Sequence, residues 1–362
     1  MNFAELHAKI GFPKRRFLTW PAESESGKKE RGGKRDRSLN PERNDLKNLS
    51  PKIWTKSLTP ADIWQFSEEN VEKPSDRLAR PNETPEGLWN REMLERAAQT
   101  HSPVGLSLSG CGFLGTYHFG AIMCIQKNAP NLLPRITHFT GASAGSLMAA
   151  LLVLAPESVA DGLIQLYELA DELQKQRFGA LTPGFNFARR LTGIAEKFIP
   201  EDISACEGRL FVSLTKQSDY SNRIVSVFPS RDYLLDCLMA SCYIPFYSTG
   251  PFGYPPKIDG DYYIDGFYSN NLPILEDIPT ITISPFSGSA IITPKDVSMF
   301  DWKMTLGSQV VKVNMQNVVR GAQALFPPKR RVLNGYYELG FRNAMKFLQD
   351  TGLYEGTEGD PV

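Results

Sequence analysis

The sequence predicts an α/β fold built around a mainly parallel sheet. Two β-prone runs, 104–108 and 136–140, each lead into a glycine-containing turn and then into a run without helix breakers. The interval between them fits one β-α-β unit, whose right-handed crossover sets two parallel strands side by side with their carboxyl ends at one edge. Residues that follow both strands are therefore expected to face one crevice.

Composition is that of a globular protein, with 41% hydrophobic and 22% charged residues in a chain of 362. The net charge of zero hides an asymmetry, because residues 1–60 hold 14 Lys/Arg against 7 Asp/Glu and the remainder holds 26 against 33. Few large apolar side chains occur over 21–52, so residues 1–60 are predicted to be a basic, largely disordered extension. Its charge could favour an anionic surface, although a solvated tail is the more usual meaning.

Five cysteines at irregular spacing predict neither a disulfide framework nor a zinc site, which favours a reducing compartment and a cytoplasmic location. The first residues carry no signal-peptide pattern, and the longest apolar run, 147–155, is too short to span a bilayer. Any membrane contact is therefore expected to be peripheral. No residue pattern predicts a metal or a cofactor, and the glycine-rich loop lacks the phosphate-binding signature.

The remaining organisation is expected to be a helical linker over 61–102, an α/β domain over 103–290, an amphipathic helical extension over 291–353 and a tail over 354–362. Within the extension, 309–326 and 332–348 carry apolar stripes at helical spacing. Core packing is the common meaning of such stripes, and docking at a lipid interface is the alternative. The apolar segment 178–198 is either a mobile flap over the crevice or a packed loop.

The chain is organised around a G-x-S-x-G motif between a predicted strand and a predicted helix. This context is typical of a nucleophile elbow, in which a sharp turn projects the hydroxyl of Ser143. Gly141 and Gly145 remove side chains that would collide across the turn. The positive end of the following helix would face an oxyanion formed at Ser143.

The loop after the first strand supplies what acyl transfer needs beside such a serine. Gly110, Cys111, Gly112 and Phe113 offer backbone N–H groups that can approach a tetrahedral oxyanion without large side chains in the way. A purely structural glycine turn is the alternative.

The base that would activate Ser143 is not predicted to be a histidine. No histidine follows Ser143, which excludes the α/β-hydrolase order, and His138 lies on the preceding strand and points away. His118 is expected to be a packed residue. Asp265, at the end of a predicted strand, is the favoured carboxylate, with Asp259 as a weaker rival.

Together these motifs resemble the patatin-like phospholipase domain, in the branch of adipose triglyceride lipase and adiponutrin. The resemblance covers roughly 103–353 and rests on the G-x-S-x-G motif, the Asp265-Gly266 pair and further marks at 110–118, 242–245, 271–273, 284–288 and 324–328. It implies a three-layer α/β/α fold, a catalytic domain over 103–290, and a dyad of Ser143 and Asp265. It also implies an oxyanion hole at Gly110–Phe113. The usual small residue after Asp-Gly is Phe267 here, which would restrict substrate access.

The resemblance further implies hydrolysis of triacylglycerol esters at a lipid-droplet surface. Phospholipase A activity and transfer of an acyl group to another acylglycerol are alternatives, as is a weakly active lipid-droplet scaffold that binds a lipase activator. The expected partners are a lipid-droplet or membrane surface, a lipid ester substrate and a protein activator, and no nucleic acid.

Overall fold

A computed structural model describes residues 92–356, apart from 95, 98, 276, 297–301, 307 and 308. All of these residues belong to one compact unit. Residues 92–94, 96–97 and 99–100 are helical and lie within the predicted helical linker. The predicted basic extension over 1–60 and most of the predicted linker and tail lie outside the described residues.

Among the described residues, seven strands form one sheet and two form a separate hairpin. The sheet has the order β5-β6-β3-β2-β1-β7, with β4 also paired to β3, and β8 pairs with β9. Neighbours β3, β2, β1 and β7 are parallel, whereas β4 and β6 are antiparallel to β3. The strands are β1 (Val104–Leu108), β2 (Ile136–Ala142), β3 (Leu210–Lys216), β4 (Asn222–Val225), β5 (Lys257–Ile258), β6 (Asp261–Asp265), β7 (Thr280–Ile283), β8 (Lys303–Leu306) and β9 (Gln309–Lys312).

The helices cover the sheet and complete the α/β/α fold. Strand β1 is buried at every position, as expected of a parallel strand enclosed on both faces. The fold class predicted from the sequence, α/β with a mainly parallel central sheet, is therefore confirmed. The longer helices are α1 (Gly115–Asn128), α2 (Ala144–Leu154), α3 (Val159–Gln174), α4 (Phe187–Ala195), α5 (Arg231–Ser241), α6 (Met315–Leu325) and α7 (Arg330–Asp350).

Helices α1 and α7 approach each other closely through two glycines. A Cβ on Gly120 would lie 1.9 Å from the carbonyl oxygen of Tyr337, and a Cβ on Gly340 would lie 2.1 Å from that of Tyr117. Both contacts are with backbone, which cannot move aside. This helix pair therefore fixes the C-terminal part of the described chain on the β-α-β unit that contains the elbow.

The register of β3 brings the ends of β2 and β6 together. Val212 pairs with β2 on one side and with β4 on the other, whereas Leu214 pairs with β6 and with β4. Strands β2 and β6 therefore lie on the same side of β3 and run towards each other. Ala142 ends β2 opposite Ser213, and Asp265 ends β6 opposite the next residue, Leu214. The two strand ends meet head to head, which sets Asp265 beside the turn that carries Ser143.

The two stretches with helical spacing differ in structure and in burial. The stretch 332–348 lies within α7 and buries most of its apolar residues, among them Leu333 and Phe347, as core packing predicts, whereas Val332 is exposed. The stretch 309–326 begins with β9 and only then forms α6, because β9 pairs with β8. Its residues Met315 and Val318 are exposed, so the core-packing interpretation is wrong for this helix.

Candidate active site

Ser143 lies on a sharp turn between β2 and α2, with φ of 53° and ψ of −128°. A positive φ is uncommon for a residue with a side chain and marks local backbone strain. A Cβ on Gly141 would come within 2.5 Å of the Gly145 carbonyl carbon, and one on Gly145 within 2.0 Å of the Leu108 carbonyl oxygen. Both glycines of the motif are therefore required by these close backbone contacts.

Buried hydroxyl groups satisfy the backbone of this turn. The Ser143 amide donates a 2.9 Å hydrogen bond to Ser241 Oγ, which itself donates to the Ser213 carbonyl oxygen at 2.8 Å. Ser146 Oγ donates to the Ser143 carbonyl oxygen at 2.7 Å. Ser241 and Ser213 were not identified from the sequence, and they hold the elbow to β3 and α5. An unsatisfied amide at a buried turn would cost stability, so these serines support the strained geometry.

The Asp265 carboxyl group is buried beside Ser143. Only 1% of Asp265 is exposed, against 9% of Ser143. Asp265 Oδ1 accepts a 2.9 Å hydrogen bond from the Phe267 amide. Burial raises the pKa of Asp265 from 3.8 to about 7, although hydrogen bonds from the Phe267 amide and from the Ser143 side chain act to lower it. A carboxyl group that titrates near neutral pH is suited to exchange a proton with a hydroxyl group.

The glycine-rich loop lies directly against Ser143. A Cβ on Gly110 would be 3.0 Å from the Cβ of Ser143. Gly112 has a left-handed φ of 52°, and a Cβ there would be 2.1 Å from the carbonyl oxygen of Ala324 in α6. Gly112–Leu114 form a short 3-10 turn, and the first amides of such a turn have no acceptor within it. The amides of Gly112 and Phe113 therefore have no acceptor within the turn, and Cys111 precedes them in the loop.

The Gly110 amide has a different role, because Asn271 already accepts from it. Asn271 Oδ1 accepts from the Gly110 amide at 2.9 Å, and Asn271 Nδ2 donates to Gln309 Oε1 at 2.7 Å. Gln309 Nε2 in turn donates to Ser284 Oγ at 2.8 Å. Gly110 therefore contributes small size and a fixed loop position rather than a free donor. The sequence analysis identified Asn271-Leu272-Pro273 as a mark of the family resemblance, but it did not predict that Asn271 positions the loop.

The other titratable candidates have partners of their own. His118 is fully buried, and burial lowers its pKa to about 3, so it is the packed residue that was predicted. His138 stacks on Phe211 with ring centroids 5.7 Å apart. Asp259 lies in an exposed turn, where it pairs with Arg223 and accepts from the Tyr233 hydroxyl at 2.8 Å. Of the two carboxylates considered, Asp265 is the one beside Ser143.

Comparison with known proteins establishes the family. A model of the patatin-like phospholipase family matches residues 106–278, which include both Ser143 and Asp265. Human patatin-like phospholipase domain-containing protein 4 is 38% identical over 253 residues, which are 70% of this chain and 99% of that protein. The chain belongs to the patatin-like phospholipase family.

Two longer members are also similar to this patatin-like chain. Patatin-like phospholipase domain-containing protein 2 of Rattus norvegicus is 38% identical over 249 residues, 68% of this chain and 51% of that protein. The 1-acylglycerol-3-phosphate O-acyltransferase Pnpla3 of Mus musculus is 34% identical over 256 residues, 70% of this chain and 60% of that protein. The chain thus spans half to three fifths of the length of these two relatives. The crystal structure of VipD from Legionella pneumophila aligns with a TM-score of 0.35 and 13% identity over 69% of this chain and 67% of that one.

A narrow apolar cavity opens beside the elbow of this patatin-like domain. Its volume is about 110 Å³, and its lining runs from Gly112 and Ala144 between helices α1, α2 and α3. Leu191, Ile194 and Phe198, from the segment predicted to be a flap or a packed loop, close one side. The lining carries no charged side chain, because His118 is neutral there. An acyl chain fits this lining chemically, and cavities of this size accept small apolar ligands.

Two further observations concern the described residues alone. None of the described helices is long and apolar enough to cross a membrane. In the described part of the chain, no group of three or more His, Cys, Asp or Glu residues could hold a metal ion.

Proposed function

We propose that this protein is a lipid acyl hydrolase that cleaves carboxylic esters of triacylglycerol with Ser143 as nucleophile and Asp265 as general base. The observation that supports this most is the head-to-head meeting of β2 and β6, which sets a buried carboxyl group beside a serine on a strained turn. The raised pKa of Asp265, about 7, suits a group that must take up and release a proton at neutral pH.

The reaction follows from these positions. Ser143 Oγ forms a bond to the ester carbonyl carbon while Asp265 takes its proton. The amides of Gly112 and Phe113, with the N-terminus of α2, stabilise the oxyanion. Collapse of the tetrahedral intermediate breaks the ester C–O bond, and the leaving alkoxide receives the proton from Asp265. Water then attacks the acyl-enzyme with Asp265 again as base, which releases the fatty acid and returns the proton to Ser143.

The uncharged lining of the cavity suits an acyl chain. Triacylglycerol is the proposed substrate because of the resemblance of the sequence motifs to the branch of adipose triglyceride lipase, and phospholipase A action is the alternative. Acyl transfer is a second candidate, because one relative is named a 1-acylglycerol-3-phosphate O-acyltransferase. In that case a lipid hydroxyl replaces water in the second step, with Asp265 in the same role.

The decisive assay measures fatty-acid release from emulsified triolein and from phospholipid vesicles by wild type, Ser143→Ala and Ser204→Ala. Ser204 is exposed and serves as the matched control. We expect release from triolein by wild type and Ser204→Ala, and none by Ser143→Ala. A fluorophosphonate should label Ser143 covalently in the same series, and labelling that persists in Ser143→Ala would refute the nucleophile.

Product analysis separates the candidates. With labelled triolein and added 1-acylglycerol-3-phosphate, label in free fatty acid supports hydrolysis, whereas label in a diacylglycerol phosphate supports transfer. Wild-type protein that releases no acyl group from any of these esters would favour the scaffold alternative.

A further inference from the structure

Helix α6 buries polar side chains and exposes apolar ones. Its buried face carries Asn317 and Arg320, whereas Met315 is 73% exposed and Val318 53% exposed. An ordinary surface helix of a globular protein has the opposite arrangement, with the apolar stripe towards the core. The exposed stripe is therefore not explained by packing within the described part of the chain.

Polar contacts lock α6 in this orientation. Both terminal nitrogens of Arg320 bond to the Asp296 carboxylate, and the pair is almost fully buried. Asn317 Nδ2 donates to the carbonyl oxygens of Ser287 and Lys312 at 2.9 and 2.8 Å. Rolling the helix to bury its apolar stripe would break a buried ion pair and leave these groups without partners. The apolar stripe is thus held outward by the structure beneath it.

The exposed surface continues beyond the helix. Phe326 is half exposed, and a Cβ on Gly179 would lie 3.7 Å from its ring, which places Phe326 near the exposed side chains of Phe178 and Leu181. Val332, six residues after Phe326 in the chain, is also exposed. Exposed basic residues flank this surface, and the nearby Asp171 is already paired with Arg330. These basic residues are Lys175, Arg177, Lys329 and Arg331.

We propose that α6, Phe326, Val332 and residues 175–181 form a docking face that binds an anionic lipid surface. This inference rests on the proposed function, since it names where the enzyme meets its substrate phase. An apolar centre with basic residues around it matches an interface in which acyl chains lie below anionic head groups. Exposed apolar patches of this kind are uncommon on surfaces that contact only water.

The docking face is coupled to the site by direct contact. The carbonyl oxygen of Ala324 lies where a Cβ on Gly112 would collide, so α6 supports the loop that offers the oxyanion donors. The next carbonyl, that of Leu325, accepts from the Tyr247 hydroxyl at 2.6 Å. Tyr247 packs on Phe187 at the start of α4, with ring centroids 5.2 Å apart. Lipid bound to the docking face would therefore contact the helix that supports the oxyanion loop, and we call this face the mouth of the site.

A second copy of the chain fits this face less well. In a two-fold symmetric dimer the same patch meets itself, so the basic residues of one copy would face those of the other. Like charges brought together across an interface oppose association. An anionic lipid surface neutralises the same residues.

The first test places a reporter on the docking face. The five cysteines of the chain are all buried, so Val318→Cys can be labelled selectively with a polarity-sensitive dye. Val227→Cys is the matched control, because Val227 is 77% exposed and follows β4, which is not part of the proposed docking face. With vesicles of phosphatidylcholine and phosphatidylserine, we expect a blue shift for the dye at position 318 and none at 227. Pure phosphatidylcholine should give a smaller shift.

The second test measures binding itself. Val318→Glu should lower the vesicle partition coefficient roughly tenfold, which corresponds to about 1.4 kcal/mol, whereas Val227→Glu should leave it unchanged. Thermal unfolding of both variants checks that they fold. Equal partition of Val318→Glu and wild type would overturn the proposal. So would an unshifted dye at position 318 in vesicle-bound protein.

The docking-face proposal is also overturned if the dye fails to label Val318→Cys in the absence of lipid. If Val318→Cys cannot be labelled while Val227→Cys can, another part of the chain covers the face, or a second copy does when the protection increases with protein concentration. All reporter measurements use the Ser143→Ala background, so they do not depend on turnover. Docking without hydrolysis by wild type would refute the proposed function alone, and hydrolysis of emulsions with an unshifted dye would refute the docking face alone.

Discussion

The centre of the site and its mouth are built in opposite ways. At the centre, Ser143 and Asp265 stand on the ends of two buried strands, and the surrounding hydroxyls and amides satisfy the backbone. At the mouth, Phe178 and Met315 are largely exposed, and Gly179 has the positive φ that lets a loop turn sharply. In the proposed reaction the centre holds the reacting groups in place, and the mouth presents apolar surface to lipid.

This difference predicts two classes of variant. Changes at the centre alter the positions or charges of reacting groups, so they should reduce turnover of any ester. Changes at the mouth alter contact with a lipid phase, so they should act on emulsions and vesicles. A substitution at the mouth that reduced turnover of a dissolved short-chain ester as strongly as one at the centre would break the distinction.

The largest effect is expected from removal of the nucleophile or its base. Ser143→Ala should abolish turnover, and Asp265→Asn should lower kcat by about 10²–10⁴-fold, because it keeps the shape but loses the proton acceptor. Since the two act as a unit, the double variant should be little worse than Ser143→Ala. Asp259→Asn, in an exposed turn, is the matched control for Asp265→Asn. The kcat of each of these four variants is measured with a soluble ester.

An intermediate effect is expected from the residue that positions the oxyanion loop. Asn271→Ala removes the side chain that accepts from the Gly110 amide and donates to Gln309, and it leaves the amide only the longer 3.3 Å bond to the carbonyl oxygen of residue 271, so the loop should shift relative to Ser143. Small displacements of this kind cost on the order of 10–10²-fold in kcat. The exposed Asn131→Ala is the control. If Asn271→Ala changes only the unfolding temperature and leaves kcat intact, the loop does not depend on this contact.

The next effect is the pH dependence of turnover. The base must be ionised, and the pKa of Asp265 is about 7. The value of kcat/KM should therefore fall roughly tenfold for each pH unit below that value and level off above it. Asp265→Asn should lack this limb. A wild-type profile that stays flat through this range would show that another group, or none, supplies the base.

Ionisation of Asp265 should also affect the free energy of unfolding, which should fall as pH rises, whereas turnover should increase. The unfolded chain releases the Asp265 proton near 3.8, whereas the folded protein holds it until about 7. Wild type should thus lose stability relative to Asp265→Asn as pH rises between these values, by at most about 4 kcal/mol. Chemical unfolding of both proteins at several pH values measures the difference. A constant difference across this range would contradict the raised pKa.

The sequence predicted the parts of this site that depend on local geometry. Local sequence is enough to predict the elbow glycines, the β-α-β unit and the lack of a histidine after Ser143. Asp265 was reached through a strand end and a family resemblance. Its proximity to Ser143, however, depends on the register of β6 on β3, which no short stretch encodes.

Non-local partners explain the remaining differences. The Gly110 amide was expected to be a free donor, but Asn271, far along the chain, accepts from it. The sequence predicted the apolar stripe of α6. Whether that stripe faces the core or the solvent depends on Asp296, which pairs with Arg320 and so buries the polar face of the helix. An amphipathic pattern shows that a helix has two faces. The partner beneath it decides which face is buried.

The smallest effect is expected at Phe267, where the sequence predicted restricted access. Its side chain is half buried, packs against Tyr268 with ring centroids 5.8 Å apart, and is not part of the cavity lining. What Phe267 provides to Asp265 is its backbone N–H, which any residue except proline retains. Phe267→Ala should therefore leave kcat on a soluble ester within about threefold of wild type.

Phe267→Pro is the matched variant that removes this donor. The hydrogen bond from the Phe267 amide lowers the pKa of Asp265, so its loss should move the acidic limb of the kcat/KM profile to higher pH. Phe267→Ala should leave the limb in place. A large gain in turnover from Phe267→Ala would instead show that the ring closes the crevice. In that case Phe267 belongs functionally to the mouth, although it stands only two residues from the base.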